Sequence, residues 1–321
     1  MKKIVLLVLL ISVALSFTSL GRGQEKVVLA ISEAKTFELM PAYIGNDLSL
    51  WKKRGLNIEV TALRGTTEVT QAMVAGKVDI GAVGSAGAVL AITKDAPHKI
   101  IYAISNTPGF MVVIVGKDSG INSVKDLKGK TIGVVGFGTF TDWMVQRISK
   151  EMGWDPQKGI NRVSFRGFRE HVAALQTKQE DGFLWTADGG YEIEEKGLGK
   201  ILVSMGEYVR DFVFQLIWTQ NALIEKEPDK VRRILEGWAE ATTYMKNNRE
   251  KTVEFMVKYL EISPATAKKV YDLDMKNMDP SGVINKKALG AVADSLVELG
   301  ITKDLPPLEK LYTDKFLPVK F

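Results

Sequence analysis

The chain has 321 residues, of which 45% are hydrophobic and 25% charged, so it is long enough to form two domains that each bury a core. The net charge is +5 at pH 7, but no basic stripe with interleaved aromatic residues is present, which argues against a nucleic-acid-binding protein. The sequence contains no cysteine. Disulfides, thiolate metal sites, cysteine nucleophiles and lipid attachment at an N-terminal cysteine are therefore excluded.

The first residues have the pattern of a signal peptide. Lys2 and Lys3 precede an apolar run over residues 4–15, and small residues follow. A run of this length after a basic start is typical of a cleaved signal peptide, whereas the alternative, a membrane anchor, needs about 20 apolar residues. We predict a signal peptide over residues 1–24, cleaved at Ala14-Leu15-Ser16 or nearer Gln24. The mature protein is then expected in the periplasm, without stable membrane insertion.

The next part of the chain predicts strands that alternate with helices. Short apolar runs predict the strands, and glycines end several of the helices. Alternation of this kind is typical of parallel β-α-β units. The predicted strands cover residues 27–31, 56–63, 78–83, 99–105 and 111–115, and the predicted helices cover 41–53, 68–75 and 86–93.

The middle of the chain continues this pattern, and the last third is helical. Ser123 with Asp126, and Thr139 with Asp142, predict two capping boxes, the second opening a helix to about residue 152. Together the patterns predict an α/β fold with mixed, mostly parallel sheets and a helical C-terminal part. Predicted strands cover 131–135, 162–165 and 182–185, and predicted helices cover 170–178, 221–248, 251–260, 264–275 and 286–299.

An internal repeat relates the two parts that alternate. Leu63-Arg64-Gly65 and Phe165-Arg166-Gly167 are 102 residues apart, and each follows a predicted strand. Further matches at the same offset are Glu68 with Glu170, Ala72 with Ala174, and Asp79 with Asp181. A repeat this long indicates two lobes of the same topology rather than a solenoid.

Two such lobes are expected to enclose a cleft. Ligands of open α/β sheets bind outside the carboxyl ends of the parallel strands, and sites between domains are a common location for ligands. The strand-end loops of two lobes that face each other would therefore line one site. These loops are residues 32–37, 64–67 and 84–86 in the first lobe and 136–142, 166–171 and 185–188 in the second.

The loops share hydroxyl groups, arginines and aromatic rings. Arginine holds a carboxylate or sulfonate through two parallel hydrogen bonds, and aromatic rings can enclose an apolar group. This composition predicts a small organic anion with an apolar portion, although Asp142 in the first turn of a helix opposes an anion there. The candidate contacts are Thr36, Phe37, Arg64, Ser85, Thr139, Phe140, Thr141, Arg166, Arg169, His171 and Trp185.

Several stretches resemble signatures of the SsuA/TauA-like, or NMT/THI-type, periplasmic solute-binding proteins of ABC transporters. They are residues 37–45 (FELMPAYIG) with 51–56 (WKKRGL), 73–81 (MVAGKVDIG), 126–134 (DLKGKTIGV), and Ala174-Leu175 with Asp181 and Trp185. The resemblance covers roughly residues 27–214. Residues 178–180 (KQE) and 136–141 (GFGTFT) depart from the usual pattern, so the ligand stays open.

The resemblance implies a type II periplasmic-binding-protein fold with two crossovers, near residues 110–113 and 209–214. Lobe 1 is then expected over residues 25–112 and 210–321, and lobe 2 over 113–209. The protein would capture a small organic anion, such as a sulfonate or aromatic carboxylate, and deliver it to the permease subunits of an ABC importer as a monomer. The residues that the resemblance assigns to the ligand are Ser32, Thr36, Phe37, Ser85, Thr139, Thr141 and Asp188, and Phe110 at the first crossover is a further candidate.

Other functions are less consistent with the residues. His98 and His171 are the only histidines and do not have metal-site spacing, so we predict no metal, no cofactor and no enzyme activity. Relatives of this fold that make a thiamine precursor use a cysteine-rich motif, which this chain lacks. The GFGTFT stretch has Thr141 where a dinucleotide-binding motif has its third glycine. A receptor for a TRAP-type permease or a sensor kinase stays open.

Overall fold

The computed structural model describes residues 24–321, so the predicted signal peptide lies outside the described residues except for Gln24. Two five-stranded sheets, each covered by helices, form two lobes. None of the helices in this part of the chain is both long and apolar enough to cross a membrane. The predicted α/β class with mixed, mostly parallel sheets is confirmed.

The chain begins with four strands of the first sheet and their connecting helices. They are β1 (Glu25–Ile31), α1 (Pro41–Asp47), β2 (Leu56–Ala62), α2 (Gly65–Val74), β3 (Ile80–Gly84), α3 (Ser85–Thr93) and β4 (His98–Ala103). The chain then forms the whole second sheet. Its elements are β5 (Met111–Gly116), β6 (Thr131–Val134), α4 (Phe140–Glu151), β7 (Asn161–Ser164), α5 (Phe168–Gln176), β8 (Gly182–Thr186), α6 (Ala187–Glu195) and β9 (Gly199–Ser204).

The last part of the chain returns to the first sheet with one strand and continues as helices. These elements are β10 (Gln215–Gln220), α7 (Asn221–Lys226), α8 (Pro228–Asn247), α9 (Arg249–Leu260), α10 (Pro264–Asp274), α11 (Lys286–Glu298) and α12 (Leu308–Leu311). The segments 104–110 and 205–214 connect the two sheets. We call the first sheet with its helices lobe 1, and the second sheet with its helices lobe 2.

The two sheets have the same topology. Their strand orders are β2-β1-β3-β10-β4 and β7-β6-β8-β5-β9. In each sheet a single strand, β10 or β5, is antiparallel to both of its neighbours. The predicted repeat of two β-α-β lobes is thus confirmed.

Equivalent side chains hold equivalent backbone groups in the two lobes. The Asp79 carboxylate accepts a hydrogen bond from the backbone N–H of Val28 at 2.7 Å, and that of Asp181 accepts one from Thr131 at 2.9 Å. Glu68 and Glu170 each accept a backbone N–H of the loop before their helix, at 3.0 Å. The repeated residues are therefore those that tie each helix-loop unit to its neighbouring strand.

Local predictions have mixed outcomes. The capping box of Ser123 and Asp126 is present, and the Ser263 hydroxyl caps α10 by accepting the Thr266 N–H. The predicted second box is wrong, because the Thr139 hydroxyl donates to the Gly136 carbonyl and makes no cap hydrogen bond.

The predicted boundaries of two helices also change, and four of the labelled elements were not predicted. Residues 221–248 form two helices because Pro228 disfavours a helical conformation at Glu227, whose backbone is not helical. The helix predicted over 41–53 ends at Asp47 and is followed by a short 3-10 turn. The elements that the sequence did not predict are α6, α12, β9 and β10.

Trp51 connects the N-terminal and C-terminal parts of lobe 1. Its indole is 1% exposed, and its Nε1 donates to the Ile234 carbonyl at 2.9 Å. The ring lies against the backbone of Gly45 in α1 and of Gly237 in α8, so closely that a side-chain carbon at either glycine would overlap it. Close packing of this kind tolerates no added methyl group without a shift of the ring or the helices.

We expect Gly237→Ala to destabilise the protein by about 1–3 kcal/mol, because the overlap with Trp51 exceeds the gain in helix propensity. Gly290→Ala in α11 is the matched control, since nothing lies within 4 Å of the added carbon there. It should stabilise by about 0.5–1 kcal/mol. Urea unfolding of both variants measures the difference, and equal effects would contradict the packing of Trp51.

Candidate ligand-binding site

A cavity of about 330 Å³ lies between the two lobes. It is at the edge of both sheets where parallel strands end, the place that open α/β sheets use for ligands. Both lobes and both connecting segments contribute side chains. The lining residues are Glu33, Lys35, Thr36, Phe110, Met111, Val135, Thr139, Phe140, Thr141, Trp185, Thr186, Asp188, Phe214 and Gln215.

Aromatic rings from the second lobe and from the connecting segments form one wall of the cavity. The ring centroids of Phe140 and Phe214 are 4.6 Å apart, as are those of Phe110 and Phe214. Phe140 also packs against Phe212 at 4.8 Å. Rings packed at these distances hold one another in place, so the wall is a preformed apolar surface.

Hydroxyl groups hold the loop that follows β6. The Thr139 hydroxyl donates to the Gly136 carbonyl at 2.6 Å, and the Thr141 hydroxyl oxygen accepts the Val135 N–H at 3.1 Å. These two hydroxyl oxygens are 3.0 Å apart. The loop is therefore ordered by its own side chains at the place where it lines the cavity.

A small recess of about 10 Å³ continues from the same region. It shares Lys35, Thr36, Phe110, Thr186 and Asp188 with the larger cavity. Its other lining residues are Phe37, Glu38, Leu260, Val270 and Asp274. The recess therefore brings together acidic side chains from α6 in lobe 2, from α10 in lobe 1, and from the loop after β1.

Burial in this recess raises the pKa of its carboxyl groups. Glu38 is 1% exposed, and loss of hydration raises its pKa to about 8, with further contributions from Asp188 and Glu33. Burial likewise raises the pKa of Asp274 well above its ordinary value, and Glu38 and Asp188 add to the rise. The pKa of Asp188 is raised for the same reason. The seam between the lobes is therefore rich in carboxyl groups that are costly to ionise together.

Most of the sequence-predicted contacts lie at this site. Thr36, Phe110, Thr139, Phe140, Thr141, Trp185 and Asp188 line the larger cavity, and Phe37 lines the recess. These residues come from the segment after β1, from the loop after β6 with the start of α4, from β8, from the start of α6, and from the first connecting segment. That they contact a ligand stays a prediction.

The structure does not bring the predicted arginines to the cavity. Arg64, Arg166 and Arg169 are exposed and are not among its lining residues. They follow β2 and β7, which are edge strands of the two sheets. Loops after edge strands lie at the margin of the gap, so these side chains extend into solvent.

Three other predicted contacts are buried away from the lining. Ser32 and Ser85 are 4% and 2% exposed, and their backbone N–H groups bond to Ala82 and Phe214 across the first sheet. His171 is fully buried in lobe 2, where its ring stacks on Phe183 and its Nδ1 lies 3.1 Å from the Glu180 carboxylate. None of these three side chains is among those that line the cavity or the recess.

Several residues that line the cavity or the recess were not identified as site residues by any pattern in the sequence. Met111, Val135 and Phe214 belong to regular strands or their ends and resemble ordinary core residues. Glu38 and Asp274 resemble surface acids of helices. Their role is visible only once α10 is seen to pack across the gap, which no local pattern predicts.

Two sets of side-chain hydrogen bonds connect the lobes. Trp143 Nε1 in α4 donates to the Glu298 carboxylate of α11 at 2.6 Å. The Glu195 carboxylate of α6 accepts hydrogen bonds from the hydroxyls of Ser263, which precedes α10, at 2.7 Å and of Thr266 in α10 at 2.8 Å. The two lobes are therefore in direct contact in this conformation.

Within residues 24–321, no three side chains of His, Asp or Glu are placed to hold a metal ion together. The arrangement fits instead a molecule with an apolar surface for the aromatic wall and polar groups for the opposite side.

The sequence is similar to those of binding proteins and of one group of enzymes. Residues 36–252 match the family model described as NMT1/THI5 like. A Brucella abortus protein described as a candidate binding protein is 25% identical over 284 residues, which are 85% of this chain and 86% of that protein. A Saccharomyces cerevisiae 4-amino-5-hydroxymethyl-2-methylpyrimidine phosphate synthase is 24% identical, over 69% of this chain and 67% of that protein.

Solved structures share the fold. The periplasmic aliphatic sulphonate binding protein SsuA of Escherichia coli superposes with a TM-score of 0.77 at 15% sequence identity, covering 90% of this chain and 92% of that one. The expected periplasmic-binding-protein fold is therefore confirmed.

We expect Glu38→Gln to stabilise the protein at alkaline pH. The pKa of Glu38 rises from 4.5 to about 8 on folding, so between these values the folded state binds more protons than the unfolded state. The stability that this group provides is present at low pH and is lost as the pH rises towards 8. The variant should melt at least about 4 °C above the wild type at pH 8 and within about 1 °C of it at pH 4.

Exposed Glu225 offers the matched control. Glu225→Gln should leave the melting temperature unchanged at both pH values, because its side chain is in water in either state. Thermal unfolding monitored by circular dichroism makes the measurement. A lower melting temperature of Glu38→Gln at pH 8 would contradict the burial of this carboxyl group.

Proposed function

Since the chain belongs to the NMT1/THI5-like family, we propose that it is an extracytoplasmic solute-binding protein of an ABC importer. It captures a small organic molecule between its two lobes and delivers it to the permease. The observation that carries this proposal is the cavity of about 330 Å³, which is lined by strand ends of both sheets, between lobes that are connected by side-chain hydrogen bonds. A site shared by two lobes is the arrangement that couples ligand capture to lobe closure.

The ligand has an apolar or aromatic portion. Phe110, Phe140, Trp185 and Phe214 give the cavity a large aromatic surface, and such surfaces bind rings and apolar groups. The polar groups of the lining are hydroxyls, the Gln215 amide, the Lys35 ammonium and the carboxyls of Glu33 and Asp188. The anion expected from the sequence depended on three arginines that lie outside this lining.

Lobe closure follows from the site. The segments 104–110 and 205–214 are the connections between the sheets, and we assign them as the hinge. A ligand that touches both lobes stabilises the closed form, because only there do both sets of loops contact it. The permease then recognises that form.

Binding is favoured over catalysis by the position of the histidines. His98 is 1% exposed and stacks on Trp218, and His171 is fully buried beside Phe183. Neither lines the cavity, so neither is placed to transfer a proton to a molecule bound there. The relative from Brucella abortus, described as a candidate binding protein, supports the same conclusion.

The cavity assignment is tested by paired variants. We expect Trp185→Ala to weaken ligand binding by about 10-fold or more through loss of aromatic contact. Arg166→Ala should leave the affinity within about 2-fold of the wild type, because Arg166 is exposed and outside the lining. A thermal-shift screen of sulfonates, aromatic carboxylates, nitrate, pyrimidines and organic amines supplies the ligand, and calorimetry measures both variants.

Trp185→Phe keeps a ring at the position and should recover most of the affinity. This variant separates loss of contact from unfolding of lobe 2. Loss of binding in Arg166→Ala with normal binding in Trp185→Ala would instead place the ligand at the outer loops and contradict the cavity.

Closure is tested at the bridge between α6 and α10. Glu195→Ala removes the acceptor of the Ser263 and Thr266 hydroxyls, so we expect a larger radius of gyration in the free protein and binding weakened by about 3-fold or more. Glu192→Ala is the control, because Glu192 pairs with Lys196 inside the same helix. Small-angle X-ray scattering measures the radius, and an equal change in both variants would contradict the bridge.

A further inference from the structure

The recess next to the cavity combines burial with several carboxyl groups. Glu38 and Asp274 are 1% and 3% exposed, and both line it together with Asp188. Glu38 and Asp274 come from lobe 1 and Asp188 from lobe 2. Three carboxyl groups thus meet where the lobes close, which is the costliest place to gather charges of one sign without a partner.

We infer that the ligand carries a protonated amine or a similar cationic nitrogen, which enters the recess between Glu38, Asp188 and Asp274 while the apolar part of the ligand lies against the aromatic wall. This inference deepens the proposed function and depends on it. A cationic nitrogen supplies both the positive charge and the hydrogen-bond donors that carboxylates accept.

Unpartnered acceptors point to the same ligand chemistry. Gln215 is 4% exposed and lines the cavity, and its Oε1 has no hydrogen-bond partner among the described residues. Asp274 Oδ1 at the recess is equally buried and unpartnered there. Buried acceptors without donors are costly. A ligand that brings N–H groups satisfies both.

The size of the recess selects a small head group. Its volume of about 10 Å³ is close to the minimum that accommodates one water molecule, about 10–15 Å³. An ammonium group has similar dimensions, whereas a sulfonate or a carboxylate has three or two oxygens around its central atom. The size of the recess and its acidic lining therefore both disfavour a sulfonate or a carboxylate there.

The cations of the protein do not neutralise the recess. Lys35 lines its rim, but its ammonium group pairs with Glu261 on the surface. The ammonium group of Lys276, two residues after Asp274, lowers the pKa of Asp274, but burial and the neighbouring acids raise it by more. Glu33 at the rim adds a further acid. The recess thus retains an excess of carboxyl groups for an external cation.

The experiment compares probes that share one apolar body. Benzylamine, benzyl alcohol and benzoate form one triple, and phenethylamine, phenethyl alcohol and phenylacetate form a second. Within each triple we expect the amine to bind at least about 30-fold more tightly than the carboxylate. The ammonium group pairs with the buried carboxylates, whereas a carboxylate ligand would place a further negative charge beside them. Isothermal titration calorimetry at pH 7.5 measures all six compounds with the wild-type protein.

Asp274→Asn identifies the recess as the amine site. We expect this variant to bind the amines about 30-fold more weakly and to melt at a higher temperature without ligand, because it removes a buried acid. If Asp274 had only a structural role, its replacement would lower both the amine affinity and the melting temperature. Asp294→Asn in α11 is the matched control, since Asp294 is exposed in a groove away from the cavity.

Amine binding should also release protons at neutral pH. The raised pKa of Glu38 and Asp274 keeps protons on the free protein, and a cation displaces them. We expect the affinity for amines to rise from pH 5 to pH 8, and the binding enthalpy to differ between buffers of different ionisation enthalpy.

Three results would overturn the inference: tighter binding of the carboxylates, unchanged amine affinity in Asp274→Asn, or no binding of either amine at millimolar concentration. If carboxylates or sulfonates bind and close the lobes, the proposed function stands and only the charge of the ligand is wrong. If no compound of any class binds, the proposed function fails as well.

Discussion

The carboxyl ends of β1, β3, β6 and β8 point to a common gap, and the position of every cavity residue depends on this arrangement. A parallel β-α-β unit places its loops at one edge of the sheet, and two copies that face each other bring their loops together. Asp79 and Asp181 fix this geometry in each copy by accepting a backbone N–H from the neighbouring strand. The site is therefore a property of two tied lobes rather than of any one motif.

The electrostatics of the gap follow from what closes over it. Loops of the two sheets provide hydroxyls and aromatic rings, but the acids come from the loop after β1 and from helices α6 and α10. Loss of hydration raises the pKa values of Glu38, Asp188 and Asp274, and Asp188 on α6 adds to the rise at the other two. An electrostatic interaction between these acids therefore acts across the contact between the lobes.

The sequence predicts the lobes better than it predicts the site. Alternating apolar runs identify most strands up to β8, and the repeat around Arg64 and Arg166 identifies the duplication. The helix α6 is missed because Gly189 and Gly190 weaken its helical pattern. Without that helix, the alternation that identified the other strands does not extend to β9, and β10 is missed as well. Loop residues such as Thr139 and Trp185 are found from strand ends alone. Asp274 is not identified from the sequence, because its position at the site depends on how α10 packs across the gap between the lobes. The three arginines were wrongly placed in the cavity because edge strands and central strands have similar sequences.

The position of β10 in the middle of the first sheet sets an order for folding. β10 separates β3 from β4, although it follows them by more than a hundred residues in the chain. Lobe 2 has all five strands within residues 111–204 and can complete its sheet as soon as that segment has left the ribosome. The sheet of lobe 1 stays incomplete between β3 and β4 until residue 220 has been synthesised. The packing of Trp51 against Gly237 forms later still, because Gly237 follows β10 in the chain. The C-terminal third of the chain therefore determines when the whole molecule becomes native.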